Sequence, residues 1–268
     1  MSKTPVSALI ITRNEERYIE RCLQSLTWAD EIIVVDSEST DKTKQLCEAS
    51  GKAWSGKLCF ITQAWLGFSE QRNVALKAAK HDWVYFADAD EECTPELIAK
   101  IEVLRSRDGG PEHTRYRIYR FEYFLGKKIK YGMWNPIYHD RFYNKKNCHF
   151  EGGIHERLVH PAEPVYLQEG CNHDLYLDTD KFLFKLNRYS TLQAEEDVAG
   201  GLRTNIFRLS LSFPHMFLKH LFYYKSYRDG MHGVIISLLE AVYRVVRHIK
   251  IWEIQNGYGR YQTTPKNR

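Results

Sequence analysis

The sequence contains no Gly-x-Gly-x-x-Gly turn after its first apolar run. Thr12-Arg13-Asn14-Glu15-Glu16 stands there instead, which argues against a dinucleotide-dependent oxidoreductase. A Gly-x-x-x-x-Gly-Lys-Ser/Thr phosphate loop is also missing, so any bound phosphates must be neutralised by a metal ion and basic side chains. The same lack of a glycine-rich N-terminal loop counts against a nucleotidyltransferase. Six cysteines at 22, 47, 59, 93, 148 and 171 form no Cys-x-x-Cys pair. Their even number permits disulfides, but Cys22 and Cys47 fall in segments that read as ordinary helices, and a reducing, cytoplasmic location is expected. No secretory leader is expected either, because the apolar residues 8–12 are few and run straight into Arg13-Asn14-Glu15-Glu16. No uncharged run reaches the roughly 18–20 residues of a spanning helix; the most apolar C-terminal stretch is broken by Glu240 and Arg244.

What is present describes a folded protein: of its 268 residues, 43% are hydrophobic and 27% charged. The 17 Tyr, 13 Phe and 6 Trp suit sugar or base stacking and equally a well-filled core. The net charge of +4 is unevenly spread, with −4 over residues 1–201 and +8 over 202–268. A basic tail on an acidic body suggests an anionic surface or substrate, or simply a solvated helix face.

The first third alternates β-branched runs with helical periodicity. Val6–Thr12 and Glu31–Asp36 read as buried strands, residues 60–62 as a weaker one and 83–87 as a fourth. Between them, residues 15–26, 42–50 and 70–79 have helical spacing, with Ser39-Thr40-Asp41 as a possible cap. Pro95–Arg105 is a further helix. This alternation predicts a mostly parallel, three-layer α/β fold. Ligands then bind beyond the carboxyl ends of the strands, which groups Asp36, Ser37 and Asp88-Ala89-Asp90 on one rim. Residues 115–170 read as strands and loops rich in Tyr, Phe, Arg and Lys, and helices are expected over 180–196, 202–227 and 233–252. The last can lie on a membrane surface or pack on the α/β body.

Asp88 and Asp90, two residues apart just past a strand, can converge on one hard divalent cation and a diphosphate, although acidic turns after strands are common. Asp36 can accept hydrogen bonds from a base or ribose, or merely start a turn. The segment 213–250 interleaves Phe217, Phe222, Tyr223 and Tyr224 with Lys219, Lys225 and Arg228, a pattern also compatible with nucleic acid.

A more specific pattern emerges from the motifs in order. Ile10-Ile11-Thr12-Arg13-Asn14-Glu15-Glu16, Leu23-Gln24-Ser25-Leu26 and Trp28-Ala29-Asp30-Glu31-Ile32-Ile33-Val34-Val35-Asp36-Ser37 come first. Gln71-Arg72-Asn73-x-Ala75, Asp88-Ala89-Asp90-Glu91, Arg141-Phe142, His155-Glu156, His173 and Lys185-x-x-Arg188-Tyr189 follow. Together they resemble family 2 glycosyltransferases, and within them the bacterial lipopolysaccharide-core β-1,4-glucosyltransferases. The resemblance implies a GT-A fold with a C-terminal helical extension. Residues 1–200 would form the catalytic domain, with a nucleotide-binding half at 1–107 and an acceptor half at 108–200. Residues 201–268 would form a basic aromatic helical region that attaches a cytoplasmic protein peripherally to the inner membrane.

The resemblance further implies a nucleotide-sugar donor, with UDP-glucose expected, and inversion at the anomeric carbon. Asp36 would contact the nucleoside, with Thr12, Asn14, Glu15 and Ser37 around it. Arg72 and Asn73 would order the donor side; Asp88 and Ala89 would serve the sugar–ribose region. Asp90 and His173 would hold a divalent cation, Mg²⁺ or Mn²⁺. Glu156 would be the general base, with Glu151 and Asp140 as rivals, and His155 would orient it or line the pocket. Arg141 would face a phosphate or pair with an acid. The implied acceptor is a glycolipid or oligosaccharide at an anionic inner-membrane surface, and this reading sets nucleic acid aside. The competing class is a non-catalytic sugar-nucleotide-binding membrane adaptor, against which the joint retention of Asp88, Asp90, Glu156 and His173 speaks.

Overall fold

A computed structural model describes residues 3–54, 56–153, 156–176 and 179–258. In chain order its elements are β1 (Val6–Thr12), α1 (Ile19–Ser25), β2 (Glu31–Asp36), α2 (Thr43–Ala53), β3 (Leu58–Thr62) and α3 (Phe68–Ala78). Next come β4 (Trp83–Asp88), β5 (Glu91–Cys93), α4 (Pro95–Arg105), β6 (Arg115–Phe124), β7 (Lys127–Lys128), β8 (Ile137–Asn144), β9 (His149–Glu151), β10 (Arg157–Val159) and β11 (Val165–Tyr176). Three helices follow: α5 (Thr179–Ala199), α6 (Ile206–Leu218) and α7 (Met231–Asn256).

The chain divides into two compact units. The first comprises Met1–Phe121 and Ile137–Asp174, the second Glu122–Pro136 and Leu175–Arg268. In the first, the main sheet runs β3-β2-β1-β4-β8-β6-β11-β5. The four strands β3, β2, β1 and β4 are parallel, and β8 joins β4 antiparallel.

Side-chain parity builds the layers, because successive residues of a strand face opposite sides. Ala8, Ile10, Ile32, Val34, Tyr85 and Ala87 point to one face and bury against Ile19, Cys22 and Leu23 of α1, Cys47 of α2 and Leu97, Ile101 and Leu104 of α4. Leu9, Ile33, Val35, Val84 and Phe86 point to the other and bury against Ala75 and Leu76 of α3, with Phe150 and Leu158 of the small β9–β10 sheet. The expected three-layer α/β architecture is therefore present. Parity also puts Asp88 on the α3 side, two residues beyond Phe86.

Several boundaries differ from expectation. The first helix is shorter than residues 15–26: Glu15 closes a turn onto Tyr18 and Ile19, and regular helix begins at Ile19. The expected single helix over 202–227 is broken. Helix α6 passes Pro214, loosens into a π turn at Lys219–Tyr223, and stops before Lys225, whose φ is 58°. A left-handed residue cannot continue a right-handed helix.

Gly170 in β11 lies against β6: a Cβ there would sit 2.2 Å from the Tyr119 carbonyl oxygen. Gly170→Ala is expected to force the strands apart and cost about 1–3 kcal/mol, by analogy with overpacking, read as a lowered urea midpoint.

In the second unit, Phe124, Ile129, Phe182, Leu186 and Ile236 form a separate small core. Asp229 ties its loops together, accepting from the Lys130 and Tyr131 amides.

Candidate active site

The carboxyl ends of β1, β2 and β4 lie side by side, with Thr12 paired to Asp36 and Ile11 to Asp88. Around β2, much of the expected substrate-binding set is engaged in shaping loops. Both Asp36 oxygens accept from Ser39, one from its amide at 2.9 Å and one from its hydroxyl at 2.5 Å. Asn14 sits at φ 56°; its amide donates to the Ser39 hydroxyl and its side-chain oxygen accepts from the Thr40 amide, each at 2.8 Å. The Glu15 amide donates to the Thr43 hydroxyl. Ser37 accepts from Gln71 of α3 at 2.9 Å. Asn73 clamps the Phe150 backbone with two reciprocal hydrogen bonds, a strand-like pairing that holds β9 to α3. Two buried polar atoms on this rim, Thr12 Oγ1 and Gln71 Oε1, have no protein partner, and such atoms ordinarily find one in water or a ligand.

Around β4 the charges converge. Arg72 Nη2 donates to Asp88 Oδ1 at 2.7 Å, and its Nε donates to Glu156 Oε1 at 3.2 Å. The same guanidinium lies over the Phe86 ring, 4.5 Å from the centroid, and near Phe150. It is thus packed into one position, not free to swing. Arg141 approaches from β8: its Nη2 donates to Asp88 Oδ2 at 2.5 Å and to Glu91, and Arg120 stands 3.8 Å from Glu91. Three carboxylates (Asp88, Glu91, Glu156) therefore face three guanidiniums (Arg72, Arg120, Arg141). Burial pushes the Asp88 carboxyl up, but Arg141 and Arg72 overcome this and hold it well below the usual carboxylate range. His139, one turn of the β8 pleat away, is pushed down to about 2 by burial and by Arg141 and Arg120, and its Nε2 has no protein partner. It is a neutral imidazole at physiological pH.

Asp90 lies apart from this cluster. Its Oδ2 is 3.4 Å from His173 Nε2, both side chains being mostly buried. The pair forms because β11 runs antiparallel to β5, setting His173 opposite Glu91, the residue after Asp90. Ala89 between the two aspartates is buried in the core. Among the described residues no three His, Cys, Asp or Glu side chains converge as a metal cage. One carboxylate oxygen and one imidazole nitrogen make a two-donor half-site, which fits a cation completed by phosphate oxygens and water, and suits Mn²⁺ better than Mg²⁺.

The rivals for the base are engaged elsewhere. Asp140 receives both Arg115 nitrogens, at 2.6 and 2.9 Å, and Arg117 as well. Glu151 pairs with Arg157 at the surface. His155 lies outside the described residues. All six cysteines are free, and burial pushes Cys47 and Cys93 up to about 12, so neither is a ready nucleophile.

Sequence reasoning assigned no role to Glu91, Arg120, Gln71 or His139. Glu91 was adjacent to the two aspartates, and Arg120 was one of several charges in a strand that mixes arginines with aromatics. Nothing in spacing alone brings β8 beside β4, or β6 beside β8.

Comparison with known proteins supplies the remaining context. Residues 7–155 match the family model described as glycosyl transferase family 2. The chain is 31% identical over 260 residues to the lipopolysaccharide core biosynthesis glycosyltransferase LpsC of Rhizobium meliloti, covering 94% of this chain and 93% of that protein. It is 31% identical over 261 residues to an uncharacterised glycosyltransferase of Rickettsia typhi, covering 93% and 87% respectively. Among solved structures it is similar to a mannosyltransferase from Pyrobaculum calidifontis determined with GDP-Man and Mn²⁺, with TM-score 0.50, 14% identity, and coverage of 96% of this chain and 77% of that one.

Proposed function

The chain belongs to glycosyl transferase family 2, and we propose that it transfers glucose from UDP-glucose, with inversion, to a lipopolysaccharide-core or similar glycolipid acceptor. Its fold is of the GT-A type, and it is a homologue of a lipopolysaccharide core biosynthesis glycosyltransferase. The observation that carries the proposal is the bridge made by Arg72, one guanidinium bonded to both Asp88 and Glu156. It ties the candidate base to Asp88, whereas Asp140 and Glu151 are bound to other arginines.

In the proposed reaction Glu156 accepts the proton of the acceptor hydroxyl as its oxygen bonds to the anomeric carbon. The bond from that carbon to the diphosphate oxygen breaks, and its electron pair leaves with the nucleoside diphosphate. One base opposite the leaving group suffices, and no covalent sugar–enzyme intermediate forms. Arg72 orients Glu156. Thr12, Asp36 and Ser37 form the nucleoside side, where the unpartnered Thr12 and Gln71 atoms offer hydrogen bonds. A divalent cation held by Asp90 and His173 would supply positive charge to the departing diphosphate. The charge count supports this reading, since Arg72, Arg120 and Arg141 are each already close to a carboxylate.

A thermal-shift series tests the reading. UDP-glucose at about 100 times its Kd, with Mn²⁺, is expected to add about 2.7 kcal/mol of stability, a rise of about 5 °C or more for a chain of this size. EDTA or Asp90→Asn is expected to remove most of it. No shift with UDP, GDP, CMP or dTDP sugars in a folded, metal-supplied protein would instead favour the non-catalytic adaptor.

A further inference from the structure

Helix α6 is amphipathic in the reverse of the usual sense. A helix on a water-soluble surface turns its apolar stripe inward. Here the inward positions are Ser212 and Met216, followed by His220 in the π turn, and they are buried. The outward positions are Phe207, Leu211, Pro214, Leu218 and Phe222, spaced by three or four residues along one face and all exposed. Phe207 is 74% exposed and Leu211 63%. On the inner side the Ser212 hydroxyl donates to the Leu209 carbonyl and His220 contacts the Met133 sulfur.

By contrast, the neighbouring α7 uses its apolar face internally. Ile236 is in the core of this unit, with Ile235, Leu239, Tyr243 and Val246 packed against it. That face is only partly covered, since Leu238, Val242 and Ile249 of α7 remain exposed.

The rim of the α6 face is basic. Arg208 lies within α6 and Arg203, Lys219, Lys225 and Arg228 flank it in the chain, with Lys219 over the Tyr224 ring and Arg228 over the Tyr131 ring, and residues 198–228 contain no Asp or Glu. None of the five cations pairs with a carboxylate among the described residues. Tyr223 and Tyr227, both exposed, add side chains of the amphipathic type that favour a bilayer interface. Thirteen residues of helix span about 20 Å, less than the roughly 30 Å hydrocarbon thickness. Among the described residues no helix is long and apolar enough to cross a membrane.

We infer that α6 lies in the plane of an anionic lipid bilayer, with Phe207, Leu211, Leu218 and Phe222 sunk into the headgroup–acyl boundary and the basic rim on the lipid phosphates. Apolar stripe and cationic flanks together are what an in-plane helix needs, each insufficient alone. The inference rests on the proposed glycolipid acceptor for its purpose, but its geometry is independent of the donor site.

The test is flotation of the full chain with two kinds of acceptor-free vesicle: phosphatidylethanolamine mixed with phosphatidylglycerol, and phosphatidylcholine alone. The wild type is expected to float with the anionic vesicles and to bind the neutral ones far less. Phe207→Gln combined with Leu211→Gln is expected to weaken anionic-vesicle binding by at least about tenfold, with the UDP-glucose thermal shift retained. Val103→Gln, at an exposed apolar residue of α4, is expected to leave flotation unchanged. Equal binding by the double variant and the wild type would overturn the inference, as would no binding of the wild type at low salt. Self-association that the double variant abolishes, without vesicle binding, would assign the face to a second copy of the chain. A missing thermal shift alongside normal flotation would overturn the transferase reading and leave the membrane face standing.

Discussion

Glu156→Gln is expected to lower kcat for sugar transfer by about 10²- to 10⁴-fold, the usual worth of a positioned general base. The amide keeps the size of the side chain and can still accept from Arg72 Nε, which now holds Glu156 Oε1. What it loses is the ability to take a proton. Donor binding, read as the UDP-glucose thermal shift, is therefore expected to stay close to wild type. Glu151→Gln, which alters surface contacts with Arg157 and His149, is expected to change transfer little. If Glu156→Gln weakens donor binding and transfer equally, Glu156 is a donor-site residue and the base lies elsewhere. If Glu151→Gln shows the larger loss in kcat, the roles of the two glutamates are exchanged.

Arg141→Met carries the largest expected cost in stability, about 3–5 kcal/mol, because it removes the cation from a buried pair and leaves charge behind. Arg141 is almost wholly buried, as is Glu91, and it also serves Asp88. Arg72 remains on Asp88, but Arg120, at 3.8 Å, is the one other guanidinium near Glu91.

The pH dependence separates this account from simple loss of packing. In the wild type Asp88 is held below its unfolded value. Its stabilising contribution is thus present above the unfolded value near 3.9 and is lost as pH falls through the lower folded value. In the variant Glu91, whose carboxyl burial already raises in the wild type, loses the Arg141 charge that lowers it and titrates further upward, so the folded state binds more protons than the unfolded chain. The deficit is expected to be largest near pH 7 and to shrink toward pH 5, measured by urea unfolding at both. A deficit independent of pH would point to packing, not charge.

Most of the parallel half was legible before any coordinates. Val6–Thr12, Glu31–Asp36 and Pro95–Arg105 were read with the bounds they have. Uninterrupted β-branched runs leave a buried strand little choice, and Thr94-Pro95 marks a helix start whose hydroxyl indeed accepts from the Leu97 amide. The antiparallel half was harder. Residues 115–170 mix charged and aromatic side chains, and Arg115, Arg117, Arg120 and Arg141 are buried or half-buried only because carboxylates from other segments meet them. Local patterning contains no term for such partners. Likewise, the apolar stripe of α6 is visible in the sequence, but only the folded chain decides that it is left exposed.

The sequence by itself determined the family, the order of strands and helices as far as β4, and which side chains were candidates for chemistry; the short β5 (Glu91–Cys93) was not legible in it. Motif identity and hydrophobic period are local properties, and both survive without coordinates. Tertiary structure alone decided which candidates share a site. Arg72 bonds Asp88 and Glu156 across separations of 16 and 84 residues, His173 meets Asp90 through the register of β11 on β5, and Arg141 closes on Asp88 because β8 lies beside β4. Those pairings are fixed by sheet order and register, which bring distant positions within a few ångströms and which no spacing along the chain encodes.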